Sequence, residues 1–164
     1  MSYSADRNEV EMGEMRFAHP ENPDIWIVGV DGCTGICIWT ANPKRIIAIH
    51  ADSGDLVGQV QHGANEVKRN HPNSTVTAVA VTCPDREDMN TVKSEFRKVL
   101  PNVNVQGNLY PYNPNPNQGP GGFYDFEARL GQPGRLVQHH IKPAKTNRQL
   151  QQGRGWLEDY CYSK

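Results

Sequence analysis

The sequence has no strong excess of charge and no long apolar run, and each absence excludes a class of partner. Its 164 residues carry a formal net charge of −1, so no general electrostatic field attracts nucleic acid or an anionic membrane. No apolar stretch approaches the roughly 20 residues that a helix needs to span a bilayer. We therefore expect no nucleic-acid partner and no membrane partner. The length suits one domain with its own core, and we expect a monomer.

The usual signatures of cofactor and metal sites are also missing. The sequence has no phosphate loop, no dinucleotide fingerprint and no serine nucleophile elbow. It has few cysteines, and they lack the paired spacing of zinc ligands: Cys33, Cys37, Cys83 and Cys161. We therefore expect no cofactor and no bound metal.

The N-terminal stretch lacks a secretion signal. Residues 1–14 are polar and acidic, without the basic and apolar regions of a signal peptide. We therefore expect free thiols in a reducing compartment. The predicted location is the cytoplasm, or a host or neighbouring cell that the protein enters without a classical signal peptide.

Three short, β-branched apolar runs are the main positive feature of the sequence. Each run has the length and composition of a β-strand: Ile25–Val30, Ile36–Trp39 and Ile46–Ile49. The last two are expected to pair as a hairpin across residues 41–44. Cys33 just precedes the first strand of this hairpin and His50 follows the second, so the two side chains are expected to be neighbours at one end of the sheet.

A thiol beside an imidazole is the pair that cysteine-based nucleophilic catalysis needs. The imidazole takes the thiol proton, and the resulting thiolate is the nucleophile. Gly32, just before Cys33, lets the backbone approach a ligand closely. A simpler interpretation is also open, because most cysteines are small buried core residues.

The residues around this pair resemble the Cys-His glutamine deamidases. These are the CheD chemoreceptor deamidases and the catalytic domains of cytotoxic necrotizing factor and Burkholderia lethal factor. The Gly32-Cys33 pair at a strand start and the distance along the chain to His50 match the CheD pattern. The resemblance covers residues 25–54. It implies that Cys33 attacks a glutamine carboxamide, that His50 is the base, and that the Ile27 backbone carbonyl orients His50.

Two details depart from the family pattern. Ile27 stands where CheD carries a threonine, so only its backbone could orient the histidine, as a valine backbone does in the necrotizing factor. The toxins read Leu-Ser-Gly-Cys, whereas this chain reads Val30-Asp31-Gly32-Cys33. A carboxylate at Asp31 would oppose thiolate formation if it pointed towards Cys33.

The reaction also needs donors for an oxyanion and contacts for a substrate. The backbone N–H groups of Gly32, Cys33 and Thr34 are the expected oxyanion donors. The candidate substrate contacts are Asp31, Ser53, Tyr110 and Tyr112. The two tyrosines begin a loop rich in Pro, Asn and Gly at residues 110–122, which we interpret as a surface excursion or as a loop that binds a substrate or partner.

The rest of the pattern predicts an α/β fold. Amphipathic periodicity predicts helices over 56–70 and 86–100, and four further strands are expected: 75–82, 103–105, 123–129 and 135–141. We predict a central mixed or two-layer β-sheet with flanking helices, as in the deamidases that the chain resembles. Residues 1–23 are expected to form a surface arm and residues 24–164 a single α/β domain.

The predicted function is that of a toxin-like or effector hydrolase: a protein glutamine deamidase with a thioester intermediate. Its partner would be a protein substrate that carries a reactive glutamine, with ammonia as the second product. Transglutamination differs only in that an amine resolves the thioester. Two alternatives remain open: a non-catalytic binding or effector protein on the same scaffold, and a cysteine-dependent amidase or esterase.

Overall fold

The computed structural model describes residues 8–18, 21–70, 75–112, 123–141 and 162–163. These residues form ten strands: β1 (Glu9–Val10), β2 (Met15–Phe17), β3 (Ile25–Val30), β4 (Thr34–Ala41), β5 (Arg45–Ala51), β6 (Thr75–Cys83), β7 (Val105–Leu109), β8 (Phe123–Ala128), β9 (Leu136–Ile141) and β10 (Tyr162–Ser163). They also form two α-helices, α1 (Leu56–Asn70) and α2 (Arg86–Val99), and a 3₁₀ turn at Ser53–Asp55. Neither described helix has the length and hydropathy needed to cross a membrane.

The strands form two mixed sheets of five strands each. The central sheet has the order β2-β5-β4-β6-β7, and the covering sheet has the order β1-β3-β8-β9-β10. Most neighbours are antiparallel, but β6 and β7 are parallel, as are β1 and β3. The prediction of a mixed α/β fold with flanking helices is therefore confirmed at this level.

Both faces of the central sheet are covered. Both helices pack on one face, and this core contains Ile36, Ile38, Ile47, Ile49, Val79 and Val81 from the sheet with Leu56, Val60, Ala64, Val67, Met89, Val92 and Phe96 from the helices. The covering sheet packs on the other face, and this core includes Ile25, Ile27, Cys37, Trp39, Ile46, Ala48, Ala80, Phe126 and Ala128. Burial on both faces explains why β4 and β5 read as continuous apolar runs rather than as alternating ones.

The helices follow their sequence signals closely. The Asp85 carboxylate accepts a hydrogen bond from the Asp88 N–H at 2.8 Å, which satisfies one of the free amides at the start of α2. The structure ends α2 at Val99, one residue before the predicted end. Because β6, α2 and β7 follow one another in the chain, the helix forms the crossover between two parallel strands.

The N-terminal stretch is not a surface arm in the part that the structure describes. β1 pairs with β3 in the covering sheet, and β2 pairs with β5 in the central sheet. Val10 and Ala18 are buried among the core residues between the sheets. These strands are two and three residues long, too short for a periodic pattern to reveal them. Of the predicted loop at 110–122, residues 113–122 lie outside the described residues.

Candidate active site

The β4–β5 hairpin brings Cys33 and His50 to the same corner of the central sheet. Gly35 lies directly opposite His50, and Thr34 opposite Ala51. Cys33 immediately precedes β4, and in a continued register it would be a diagonal neighbour of His50, a relation that places Cα atoms about 7–8 Å apart and Cβ atoms somewhat closer. Since side chains alternate along a strand, Cys33, Gly35 and His50 all face the covering sheet.

The His50 ring is buried and held by a backbone carbonyl. Its side chain is 1% exposed, and its Nδ1 lies 3.3 Å from the carbonyl oxygen of Val10. Because a carbonyl only accepts, Nδ1 must donate, which leaves a lone pair on Nε2. Burial lowers the pKa of the imidazole, more than the nearby carboxylates raise it, so the ring is neutral at pH 7.

Val10, rather than Ile27, therefore orients the histidine. Val10 on β1 pairs directly with Ile27 on β3. The carbonyl that accepts from His50 therefore belongs to β1, the neighbour of the strand that the sequence predicted. Ile27 reaches the site through its side chain instead. Its Cδ1 lies 3.1 Å from the point that a Cβ on Gly35 would occupy, so it covers the backbone opposite His50.

Cys33 lies at the mouth of the same corner and is itself largely buried, at 6% exposure. The backbone N–H of Ser53 favours the thiolate and acts to lower the pKa of the Cys33 thiol. Burial has the larger effect and raises the pKa of the thiol, and the carboxylates of Asp52 and Asp31 raise it further. Cys33 is therefore a protonated thiol at neutral pH.

Cys33 and His50 are not hydrogen-bonded to each other in this structure. His50 Nε2 is buried and has no hydrogen-bond partner among the described residues. The resting pair is thus a neutral thiol near a neutral imidazole, whose free lone pair is on Nε2. Catalytic hydrogen bonds are often long or absent in free enzymes and form when the substrate binds.

Tyr110, a predicted substrate contact, lies in the core instead. It is 2% exposed, and its hydroxyl donates to the Cys33 carbonyl at 2.6 Å. Its backbone N–H donates to the Cys83 carbonyl at 3.0 Å. Burial raises the pKa of the Tyr110 hydroxyl, so it stays a donor. Tyr110 therefore fixes the backbone of Cys33 and does not present a surface contact.

The other predicted contacts line the rim of the corner. Tyr112 is 43% exposed, and its hydroxyl oxygen lies 3.1 Å from the point that a Cβ on Gly32 would occupy. Gly32 has a φ of +82°, a conformation that glycine adopts most easily. Asp31 and Ser53 are exposed beside Cys33. The rim therefore exposes two polar side chains and one aromatic ring.

Thr34 and Thr82 show that the two faces of the sheet differ at this corner. The Thr34 hydroxyl donates to Cys83 Sγ at 3.6 Å on the helix side of the sheet. The Thr34 side chain is therefore not an oxyanion donor. The oxyanion role of the Thr34 backbone N–H stays a prediction. Thr82 faces the covering sheet, is fully buried and has no hydrogen-bond partner for its hydroxyl among the described residues. The sequence offered no signal for Thr82 beyond a polar residue near the end of an apolar strand.

No group of three or more metal-binding side chains occurs within the described ranges. In comparisons with known proteins, no family model and no curated protein matches this chain. Its function is therefore inferred from the geometry of the site.

Proposed function

We propose that the protein is a glutamine deamidase in which Cys33 is the nucleophile and His50 the base. The His50 ring is the observation that carries this proposal. Its Nδ1 is fixed by the Val10 carbonyl, while Nε2 is buried, unprotonated and without a partner among the described residues. A buried polar atom without a partner costs free energy. Such an atom is expected where a ligand or a reaction supplies the missing partner.

The groups present suit a two-step acyl transfer that needs only water as co-reactant. Cys33 Sγ passes its proton to His50 Nε2 and forms a bond to the carboxamide carbon. The C–N bond then breaks, and the imidazolium returns the proton to the departing ammonia. Water hydrolyses the thioester, which gives glutamate and restores the thiol. The Val10 carbonyl supports this cycle, because it accepts from Nδ1–H and so stabilises the imidazolium.

The protonation states of Cys33 and His50 in the free protein determine at which step the thiolate forms. Burial raises the pKa of Cys33 and lowers that of His50, so the ion pair is disfavoured in the free protein. The Ser53 N–H acts to lower the pKa of the thiol and so favours a thiolate once it forms. We infer that substrate binding, which brings a polar carboxamide into the corner, completes the activation.

The substrate is proposed to be a glutamine on a protein surface. The rim formed by Asp31, Ser53 and Tyr112 is exposed and is available to the residues that flank the target. Water or a primary amine can resolve the thioester, so deamidation and transglutamination share the first step.

The alternative of a non-catalytic binding protein has one observation in its favour. No hydrogen bond joins Cys33 to His50, and burial favours the neutral form of both groups. On this alternative the corner is a recognition pocket and Cys33 is a small core residue. A cysteine-dependent esterase or amidase would instead use the same pair on another acyl group.

The test is a survey of glutamine conversion in mixed cellular protein. Bacterial and eukaryotic extracts are incubated with the purified protein, and glutamine-to-glutamate changes are mapped by peptide mass spectrometry. A fluorescent primary amine in a parallel reaction detects transglutamination. The matched variants are Cys33→Ser and Cys37→Ala, since Cys37 lies four residues further along the chain, on β4, in the same core, and is fully buried.

We expect specific glutamine sites to change with the wild type and with Cys37→Ala, and not with Cys33→Ser. If no site differs between the wild type and Cys33→Ser, the deamidase proposal fails. Hydrolysis of an activated aryl ester by the wild type, absent in Cys33→Ser, would then indicate the esterase alternative.

A further inference from the structure

A peptide group beside Cys33 joins the end of the central sheet to the 3₁₀ turn. It links Asp52, which follows β5, to Ser53, the first residue of the turn. In the continued register of β4 and β5, Asp52 lies opposite Cys33. The Asp52 backbone is extended, with φ −70° and ψ 138°. The chain therefore changes direction next to the thiol, and the Ser53 N–H is a backbone donor at that point.

The carbonyl of this peptide group determines where its N–H points. The Asp52 carbonyl accepts from the Asp55 N–H at 3.3 Å and from Gln59 Nε2 at 3.2 Å, so it is turned into the 3₁₀ turn and towards α1. The C=O and the N–H of a trans peptide point in opposite directions. The Ser53 N–H therefore points out of the turn.

The hydrogen bonding of β5 gives the same direction. Both backbone groups of His50 bond to the chain just before β2. Because successive residues of a strand turn their backbone groups to opposite sides, those of Ala51 face β4 and the Asp52 carbonyl faces away from it. The Ser53 N–H is thus turned to the β4 side, where Cys33 lies. This N–H forms no hydrogen bond within the part of the chain that the structure describes.

Gln59, in the first turn of α1, holds the same peptide group from the other side. Its Oε1 accepts from the Asp52 N–H at 3.0 Å, and its Nε2 donates to the carbonyls of Asp52 at 3.2 Å and of Asp55 at 3.0 Å. One side chain thus binds both the N–H and the carbonyl of Asp52. The peptide group that carries the Ser53 N–H cannot rotate without breaking both hydrogen bonds to its carbonyl.

We propose that the Ser53 backbone N–H is a catalytic donor, first to the Cys33 thiolate and then to the substrate oxyanion, and that Gln59 is the positioning residue that aims it. This inference rests on the proposed function, in which Cys33 is the nucleophile. When the thiol proton moves to His50 Nε2, the N–H stabilises the negative charge on Sγ. When the Sγ–C bond forms, the C=O electron pair moves to the oxygen, and the same donor stabilises that charge. The carbonyl re-forms as the C–N bond breaks.

A donor fixed in advance offsets the main cost of ionising Cys33. Burial and two neighbouring carboxylates oppose the thiolate, and the Ser53 N–H is the group that acts against them. Because Gln59 already holds the peptide group, the donor need not reorganise when the charge forms. Four titratable groups face Cys33 from the surrounding elements, and the test leaves all of them unchanged: Asp31, His50, Asp52 and Tyr110.

A proline at position 53 removes this N–H with little other change to the backbone. The first position of a helical turn tolerates proline, and the extended Asp52 has the conformation that a residue before proline adopts. Ser53→Ala is the reference, because it lacks the same hydroxyl but keeps the N–H. Gln59→Leu removes the side-chain hydrogen bonds to the turn. Its matched control is Gln61→Leu on the same helix, since Gln61 bonds to Glu95 instead.

Two rates are measured for each protein. Alkylation of Cys33 by iodoacetamide at pH 8 is followed by peptide mass spectrometry, and kcat and KM are determined on a glutamine site from the extract survey. Ser53→Pro should slow alkylation at least about threefold relative to Ser53→Ala, because a rise of about one unit in the thiol pKa lowers the thiolate fraction and the greater nucleophilicity of the sulfur recovers only part of the rate. Its kcat should fall about 10²-fold with KM within about twofold, as for the loss of one oxyanion donor.

Gln59→Leu should lower both rates by a smaller factor, while Gln61→Leu should stay within about twofold of the wild type. Circular dichroism identifies any variant that fails to fold, and if Ser53→Pro does so, Gln59→Leu decides. If the folded variants match their controls in both rates, the roles of Ser53 and Gln59 are overturned and the Cys33–His50 pair remains. If no glutamine site depends on Cys33, the proposed function fails, and slower alkylation in Ser53→Pro would still identify Ser53 as the donor to the thiolate.

Discussion

The two faces of the central sheet are equally buried but chemically different. On the helix side, Ile36 and Ile49 pack against α1 and α2 in an apolar core, and the nearby Thr34 hydroxyl has a partner in Cys83. On the other face, at the same end of the sheet, His50 and Thr82 keep polar atoms without partners among the described residues. The first face stabilises the fold. The second accepts a cost in stability at the place where we propose that a substrate binds.

The largest expected effect is the loss of activity in His50→Ala. Removing the proposed base should lower the rate of glutamine conversion by about 10²–10⁴-fold, the usual contribution of a positioned general base. The measurement is the initial rate on a glutamine site identified in the extract survey. Because His50 is fully buried, its truncation also lowers the free energy of unfolding, so the rate is expressed per folded molecule. A folded variant that keeps more than about half of the wild-type rate would contradict the role of His50.

Phe96→Ala should act on stability alone. Phe96 is fully buried between α2 and the central sheet, and truncation of such a residue costs about 3–5 kcal/mol. Urea unfolding gives the change in the free energy of unfolding. The rate per folded molecule should stay close to the wild type. A large loss of activity in the folded fraction would mean that the two faces are not separate in their roles.

Acid should destabilise the protein through His50. Burial lowers its pKa below the ordinary value of 6.5, so below that pH the unfolded chain takes up a proton that the folded protein resists. Stability is therefore complete above pH 6.5 and falls as the pH drops towards the folded pKa, with a slope of at most about 1.4 kcal/mol per pH unit. Urea unfolding between pH 8 and pH 5 measures this loss. His50→Gln should lack this pH-dependent loss of stability. If the free energy of unfolding falls equally steeply with pH in both proteins, the His50 ring is not a buried neutral group.

The smallest expected effect is a gain in stability in Thr82→Val. Valine has nearly the same shape and removes a buried hydroxyl without a partner, so the free energy of unfolding should rise by about 1 kcal/mol. Thr34→Val on the other face is the matched control, and it should be destabilising because it breaks the bond to Cys83. A loss of stability in Thr82→Val as large as that in Thr34→Val would show that Thr82 has a structural partner.

The sequence predicted the elements whose signals are local and periodic. The β4–β5 hairpin and both helices have apolar residues at the spacing of their secondary structure. That pattern also placed Cys33 and His50 at one corner, because hairpin pairing follows from a short connection. The strands β1 and β2 have no such signal, since two or three residues cannot show a period.

The remaining parts of the site depend on tertiary contacts that a single sequence does not display. Every residue has a backbone carbonyl, so nothing in the sequence distinguished Val10 from Ile27 as the acceptor for His50. Tyr110 lies beside a loop rich in Pro and Gly, which suggests exposure, yet its ring belongs to the core. The hydroxyl of Thr82 becomes notable only because the folded chain surrounds it with apolar neighbours.

The most direct test of the central claim is the rate at which Cys33 is alkylated relative to Cys37. Both thiols lie on one face of one stretch of chain, and burial raises the pKa of both, but only Cys33 lies at the mouth of the corner beside His50 and Ser53. Site-resolved mass spectrometry with iodoacetamide gives both rates in one sample. We expect Cys33 to react at least about 10²-fold faster than Cys37 in the wild type, and His50→Ala to slow the reaction at Cys33 while the fully buried Cys37 stays slow. Equal and slow rates at the two thiols in the folded wild type would contradict the proposal that Cys33 is the nucleophile.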